Sequence, residues 1–597
     1  MYALQTAKKD LEKSTQRPVQ SPKDPKAADL CVPCFAAAKE QGKNPADFAQ
    51  KLAEKKPPHG FERAVATGPY VNYFFSETLF RRVLQETTNP DYGRRDSKTE
   101  PGPSVLEYSQ PNPGKPMHLG HIRSTIIGDV CANVLQMLGK PVVRLNYLND
   151  RGAHIAELIT AMEEFKDLPK VTDEKSLLAY YVKIKSEIDS NPTLKEKTRQ
   201  VLEHLNDHQE QLEKIRDMSW TAFARNYDAL GVRFDDIPLE TMLEDDAHQR
   251  VQECLQKGLA QKEPDGTIIA LLEPDGLPNT VLLRSNGTPL YFTSDLALAD
   301  WKWQKYAFSQ SWIFTASEQN LHFKQLQLLL GKLGRPYATY YGHKGHGLIR
   351  LTDGKLSTRL GRVILLEDIL KAVVEEAKTQ MAARNPDQPP SPDVAKAVGI
   401  GALKYGVLKV RLEKDITFDP AAEVKYEGDT SAYIQYAHVR ACAILEKYAG
   451  QNASVNDGPR AVQNATGKGE KGKGAANAGK EKNKKKKETV KAGASNASLS
   501  LLSLPPKLDL NESERLLLKK LAEFPDVLDY VASTMQPHAL CEYALQVAKA
   551  FTSFYAASPV LTASDSLKAQ RLHITASTKN VLRLALETLG IKALEKM

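Results

Sequence analysis

The 597 residues are enough for three or four domains and a large core. Hydrophobic content is 41% and no apolar run reaches membrane-spanning length, which excludes a chain built on membrane helices, while six cysteines in so long a chain point to a reducing compartment. The formal net charge of +8 is nearly all carried between Gly450 and Ser500, where ten lysines and Arg460 face only Asp457, Glu470, Glu481 and Glu488, so a nucleic-acid partner would have to be held by local basic patches.

The chain opens with a polar stretch containing lysine and proline. Residues 1–28 carry Asp10 and Glu12 and lack an apolar core, which predicts a disordered tail, no signal peptide and a cytoplasmic protein. From Ala28 to Lys55 the apolar spacing turns helical, and Asn44 with Pro45 marks a helix start. Phe61 to Phe75 is rich in aromatics and valine, and Gly68 to Phe75 within it reads as a strand. Residues 29–98 are therefore expected to form a small α+β domain. Tyr70 and Asn72 share one face of that strand, an aromatic ring and an amide that suit an unpaired base or an ordinary edge strand. Cys31 and Cys34 have metal-knuckle spacing but no second pair nearby, so two buried thiols and no metal site are expected.

Ser104 to Tyr108 reads as a strand, and Ile122, Ile126, Val130, Val134 and Leu138 as a helix ending at Gly139. Between them lie Lys115, Pro116, His118, Gly120 and His121. Two histidines three apart share a face of the first helical turn, beside free N–H groups and a partial positive charge. Gly120 leaves room for a ligand against the backbone. Such a junction suits a phosphate. A further strand, Pro141 to Leu148, closed by Asn149, Asp150, Arg151 and Gly152, completes the first half of a Rossmann-type parallel sheet.

Residues 155–280 are mostly helical and strongly charged, an insertion between two halves of the sheet. Val281 to Phe292 reads as a hairpin around Ser285, and Tyr291 to Asp295 leads into a helix from Leu296 to Tyr306. Ser311 to Ala316 is a strand, and Glu318 to Phe323 opens the next helix. His346 to Gly361 is a glycine-bracketed loop bearing Lys355, Ser357, Thr358 and Arg359, suited to gripping polyphosphate. From about Ala395 the chain is helical to Met597. The run Gln451 to Ser500 interrupts it with a Gly/Ala/Asn/Lys composition that cannot bury enough apolar area to fold.

The His-x-Gly-His block at His118 to His121, preceded by Lys115 and followed by Arg123 and Asp129, resembles the first signature of class I aminoacyl-tRNA synthetases in its arginyl form. The loop at Lys355 to Arg359 resembles the second signature. It lacks the second lysine of the general motif, and Lys115 occupies the position thought to compensate. The resemblance covers about residues 30–597, except the lysine-rich run. It implies an α/β multidomain fold: a Rossmann-type parallel-sheet core at 99–370 with an insertion, an N-terminal α+β domain at 29–98 that contacts the tRNA D-loop, and an all-α anticodon-binding domain at 371–597 with a disordered insert at 450–504.

The same resemblance implies the roles. Lys115, His118, His121, Lys355 and Arg359 serve catalysis, and Pro116, His118, Gly120, His121, Ser357 and Thr358 hold ATP. Arginine falls to Glu107, Asn112, His154, Tyr291, Asp295 and Gln319, and tRNA to Tyr70, Asn72, Tyr433, Gln435, Tyr436 and Met597. It implies a monomer using ATP, substrate-associated Mg2+, L-arginine and tRNA(Arg), with arginine activation dependent on tRNA. Asp295 could instead cap its helix. Glu107, a carboxylate in an apolar strand, needs a cationic partner. His154 stands where the family often has glutamine. The lysine-rich insert is either a tolerated surface loop or a tether that gathers tRNA nonspecifically. An inactive RNA-binding scaffold would have no physical need for intact signature residues.

Overall fold

The computed structural model describes residues 1–24, 26–96, 101–352, 365–456 and 503–597. The expected tail is corrected at once: Ala3–Thr15 is a helix, and Ala3, Leu4, Ala7 and Leu11 are buried along one narrow stripe. The stripe packs on the helix Glu77–Thr87, while Lys8 pairs with Asp526 and Gln5 Nε2 donates to Asp529 at 3.1 Å. The N-terminal domain is a three-stranded antiparallel sheet with Tyr70–Phe75 between Leu30–Pro33 and Phe61–Thr67, so this strand is central and not an edge. The helix Pro45–Ala53 starts as expected, with Asn44 Oδ1 accepting the Ala46 N–H at 2.8 Å.

The core sheet has four parallel strands in the order Tyr341–His346, Gln310–Ala316, Ser104–Glu107, Val142–Leu145. The chain runs from Ser104–Glu107 to Val142–Leu145 on one side, then returns through the insertion to Gln310–Ala316 on the other. The strand order therefore reverses between Ser104–Glu107 and Gln310–Ala316, and a crevice opens beyond their carboxyl ends.

Within the insertion, helices from Ala153 to Leu230 enclose a core of Leu158, Leu177, Ile184 and Leu212. Its last part is not helical throughout: Ala260–Lys262, Ile268–Ala270 and Thr280–Leu283 form a small antiparallel sheet. The expected hairpin also differs. The chain turns after Arg284, whose N–H reaches the Thr288 carbonyl at 3.0 Å, but only an isolated bridge from Leu283 to Pro289 follows. The pairing stops after Leu290 N–H reaches the Leu282 carbonyl at 3.3 Å, because the chain turns into a helix. The next helix begins at Tyr291, not Leu296. The described remainder is mainly helical, from Leu366–Arg384 to Asp565–Thr588, with the strand Ile416–Phe418 pairing with Ile349–Leu351. Among the described residues, no helix is long and apolar enough to cross a membrane. Cys31 and Cys34 are buried free thiols.

Candidate functional site

The site is built at the strand reversal. After Glu107 the chain kinks through Ser109 and Gln110, both at positive φ, and the kink is held by Tyr227 on Ser109 Oγ at 2.7 Å and by Gln110 N–H on Asn146 Oδ1 at 3.1 Å. Gly114 N–H is satisfied by Ser219 Oγ at 2.8 Å.

The two signature histidines cap their own helix. His118 Nδ1 accepts the Gly120 N–H at 3.1 Å, and His121 Nδ1 accepts the His118 N–H at 3.2 Å. Committing Nδ1 as an acceptor on both rings leaves the proton on Nε2 of each. Burial and the nearby Lys115 charge depress His118 below the ordinary histidine range. Burial, His118 and Lys115 pull His121 down to about 3. Both imidazoles are thus neutral N–H donors near pH 7, their ring centroids 4.0 Å apart and their planes tilted by 42°, with Lys115 supplying the positive charge. A Cβ at Gly120 would come within 2.8 Å of the His118 ring, so glycine preserves the ring's position. Lys115 Nζ lies 5.2 Å from the Tyr181 ring of the insertion, and Pro116 is half-buried. Lys355, Ser357, Thr358 and Arg359 lie outside the described residues.

Burial raises the pKa of the Tyr147 hydroxyl, and the four carboxylates gathered around it, Glu240, Asp295, Glu107 and Asp150, help to raise it. Tyr291 and Asp295 lie one helical turn apart on one helix face. Asp295 is the fifth residue of that helix, so it does not cap it, and its Oδ2 meets His322 Nε2 at 2.6 Å. Gln319 is exposed at the end of the turn Ser317–Gln319, and Asn112 is half-buried with its carbonyl accepting the Lys115 N–H at 3.1 Å. His154 is buried against the Asn149 backbone, and burial and Lys115 hold it down at about 3. Glu107 has its cationic partner within the chain. Lys302, itself fully buried, pairs with one oxygen, and Gln110 donates to the other. Glu107 is therefore not a free carboxylate awaiting a substrate cation.

Three residues beyond those expected complete the pocket. Tyr147 Oη, Asn149 Oδ1 and Glu240 Oε2 are shielded polar atoms without a hydrogen-bond partner among the described residues, as is His154 Nε2. Glu240 arrives from the insertion. Residues 236–240 return along the edge of the sheet, with Glu240 N–H on the Leu148 carbonyl at 3.0 Å and Thr241 Oγ1 on Asp150 Oδ2 at 2.9 Å. Ser294 Oγ donates to Glu240 Oε1 at 2.8 Å, while burial, Asp295 and Asp150 push the Glu240 carboxyl up to about 7. A cavity of about 350 Å³ opens beside Glu240, Tyr291 and Ser294. One shielded, unpartnered carboxylate oxygen on Glu240, with Asp295 and the Tyr291 phenol on the adjacent helix, suits a planar, multidonor cation. Asn149 already lay in the strand-ending run read from the sequence. Glu240 carries no local sequence signal.

The residues expected to meet RNA fall in two places. Tyr70 and Asn72 lie on the half-buried face of the N-terminal sheet, Tyr70 edge-on to the exposed Phe35 ring at 5.5 Å. On the helical domain, Tyr436 and Met597 line a cavity of about 460 Å³ with Arg384 and Tyr426, and Arg440 stacks 4.9 Å over the Tyr436 ring. Tyr433 is half-buried with its hydroxyl on Thr552 at 3.0 Å. Gln435 is corrected: it is wholly buried and donates to the Lys592 carbonyl at 2.9 Å, so its amide fastens the C-terminal segment and does not face a solvent-borne base.

Residues 90–419 match the family model for the catalytic domain of class I (R) tRNA synthetases. Residues 477–597 match the DALR anticodon binding domain, and residues 2–75 the arginyl tRNA synthetase N-terminal domain. An arginine–tRNA ligase of Streptococcus pneumoniae (strain Hungary19A-6) is 33% identical over 588 residues, covering 97% of this chain and 95% of the relative. One from Halothermothrix orenii is 31% identical over 592 residues, with coverage of 97% and 95%. The Thermus thermophilus arginyl-tRNA synthetase structure superposes with a TM-score of 0.77 at 25% identity, covering 100% of this chain and 99% of that one. A Plasmodium falciparum arginyl-tRNA synthetase structure shares the fold at a TM-score of 0.75 and 21% identity, covering both chains completely.

Proposed function

The chain belongs to the class I arginyl-tRNA synthetases, and from that premise we propose that it activates L-arginine with ATP and transfers it to the terminal 2′-hydroxyl of tRNA(Arg), releasing AMP and pyrophosphate. The observation that carries this reading is the juxtaposition at the strand reversal. A pair of neutral imidazole donors at a helix N-terminus follows the strand Ser104–Glu107, and Glu240, with an unfilled carboxylate oxygen, is bonded to Leu148 just beyond the neighbouring strand Val142–Leu145.

Neither displacement needs a protein nucleophile. The arginine carboxylate attacks the ATP α-phosphorus, and then the ribose hydroxyl attacks the activated carbonyl. What the protein supplies is placement and charge. His118 and His121 donate Nε2–H to oxygens at the α-phosphate without adding charge. Lys115 faces the phosphates with a full positive charge, and Lys355 and Arg359 are assigned the departing pyrophosphate. Losing one such donor costs about 10²–10³ in rate. Mg2+ enters with ATP as part of the substrate. Asp295, Glu240 and Tyr291 receive the guanidinium, with Asp295 oriented by His322. Tyr70 and Asn72 meet the tRNA body, and Tyr436 and Met597 its anticodon loop. We assign a cytoplasmic monomer whose arginine activation waits for bound tRNA.

Arginine-dependent ATP–pyrophosphate exchange, with and without tRNA and against the other amino acids, tests the reading. Exchange with arginine only in the presence of tRNA is expected. Exchange without tRNA would remove the tRNA-first order, and no exchange on folded protein would overturn the reaction.

A further inference from the structure

We propose that Arg123 is a positioning residue that ties the root at Gly347 to Leu351, from which the chain enters the second signature, to the helix of the first. Arg123 sits on the helix Leu119–Met137, two residues beyond His121, and is fully buried. Its guanidinium donates to the Lys414 carbonyl at 2.6 Å and the Arg411 carbonyl at 3.0 Å. That held segment in turn grips the chain leading to residues 353–364. Gly347 N–H reaches the Leu412 carbonyl at 2.8 Å, Leu348 N–H reaches Asp415 Oδ1 at 2.8 Å, and Ile349–Leu351 then pairs with Ile416–Phe418. The approach is close: a Cβ on Gly347 would lie 2.6 Å from the Lys414 carbonyl.

The exit of the same segment is tied to the first signature directly. Leu366 N–H bonds the Met117 carbonyl at 2.9 Å, and Leu365 bridges His118. Both roots of residues 353–364 are therefore referenced to one helix start, the exit by backbone and the entry through Arg123. A buried guanidinium on two neutral carbonyls, with Nε unpartnered among the described residues, is an expensive way to hold a loop. A rigid fork with two donors fixes both distance and orientation, which one ammonium cannot do. The root of the lysine-bearing segment is thereby held in register with the histidines that face the same triphosphate.

The inference rests on the reaction proposed above, and wild-type exchange tests that reaction on its own. Arginine-dependent ATP–pyrophosphate exchange with tRNA is measured for Arg123→Met, Lys355→Ala and the double variant. Because a misplacement of about 1 Å can cost about 10²-fold, Arg123→Met is expected to lose about 10- to 100-fold in kcat, with the arginine KM within about twofold. The double variant is expected to be about as slow as Lys355→Ala alone, because Arg123 acts through the segment that carries that lysine. Losses that multiply, or a raised arginine KM with kcat kept, would overturn the proposal. Asp415→Ala covers the case in which Arg123→Met does not fold, since it deletes the acceptor for Leu348 from a half-exposed side chain. It is expected to show the same kcat-only loss, about tenfold, and wild-type kinetics in that variant would also overturn the proposal.

Discussion

Glu240 gives the sharpest test of the arginine pocket. Its Oε2 is shielded and unpartnered, and its carboxyl is pushed up to about 7 by burial, Asp295 and Asp150. A guanidinium arriving there finds an acceptor already stripped of water. Glu240→Gln keeps the shape and the Ser294 contact while removing the charge. Truncating one partner of a buried charged hydrogen-bonded pair costs about 2–5 kcal/mol, so kcat/KM for arginine should fall about 30-fold or more, up to several thousandfold. The pH dependence gives an independent check. Guanidinium binding requires the carboxylate, so arginine affinity is full above pH 7 and falls below it. At pH 6 a carboxyl titrating near 7 is about one-tenth ionised, a loss of about tenfold. Binding draws its pKa down and releases the proton. The assay is tRNA charging at varied arginine from pH 5.5 to 8.5. Wild type should show kcat/KM for arginine bending near pH 7, and Glu240→Gln should show a low rate without that bend. A variant within about threefold of wild type, or one that keeps the bend, would refute the reasoning.

Two further outcomes concern the fold around the site. Lys302→Met should lower the unfolding midpoint, since removing one partner of a buried ion pair costs about 3–5 kcal/mol. Glu107→Gln added to it should recover most of that loss, and a single variant as stable as wild type would show that Glu107 has another partner. Removing residues 1–15 takes away the buried Leu4 and Leu11, worth about 1.5–3 kcal/mol each, together with the Lys8–Asp526 pair. The midpoint should fall while the arginine KM holds, and an unchanged midpoint would mean that the helix is not docked.

What could be read from the chain beforehand was what is local. The His118 to His121 junction is written in consecutive residues: two histidines at helical spacing, a glycine between them and a strand on one side. Its geometry in the structure follows from those residues alone, down to the reciprocal caps that fix the tautomers. The N-terminal helix escaped because its apolar stripe is only Ala3, Leu4, Ala7 and Leu11 in a lysine-rich setting, and the surface it covers belongs to residues far along the chain. The Tyr291 helix start escaped for a smaller reason, since an apolar run after a turn fits a hairpin strand as well as the first turn of a helix. Gln435 shows the complementary failure. Helical spacing assigns it a face, but what packs on that face is the Lys592 carbonyl, some 150 residues later.

Glu240 is the instructive case, because nothing near it in sequence distinguishes it from a solvated surface glutamate. It acquires a buried oxygen and a raised pKa only because residues 236–240 return to the sheet edge and Ser294, Asp295 and Asp150 close around it. On the proposed reading, the phosphate chemistry of this chain is encoded in contiguous motifs, whereas discrimination of the amino acid is assembled from a strand end, a returning insertion and a helix face that meet only in the folded state. The motifs would then announce the reaction class, and the choice of arginine would depend on how the insertion seats against the sheet. Substitutions at that seat, such as at Thr241, which anchors Asp150 through both its N–H and its hydroxyl, should alter the arginine KM without touching the phosphate-binding histidines.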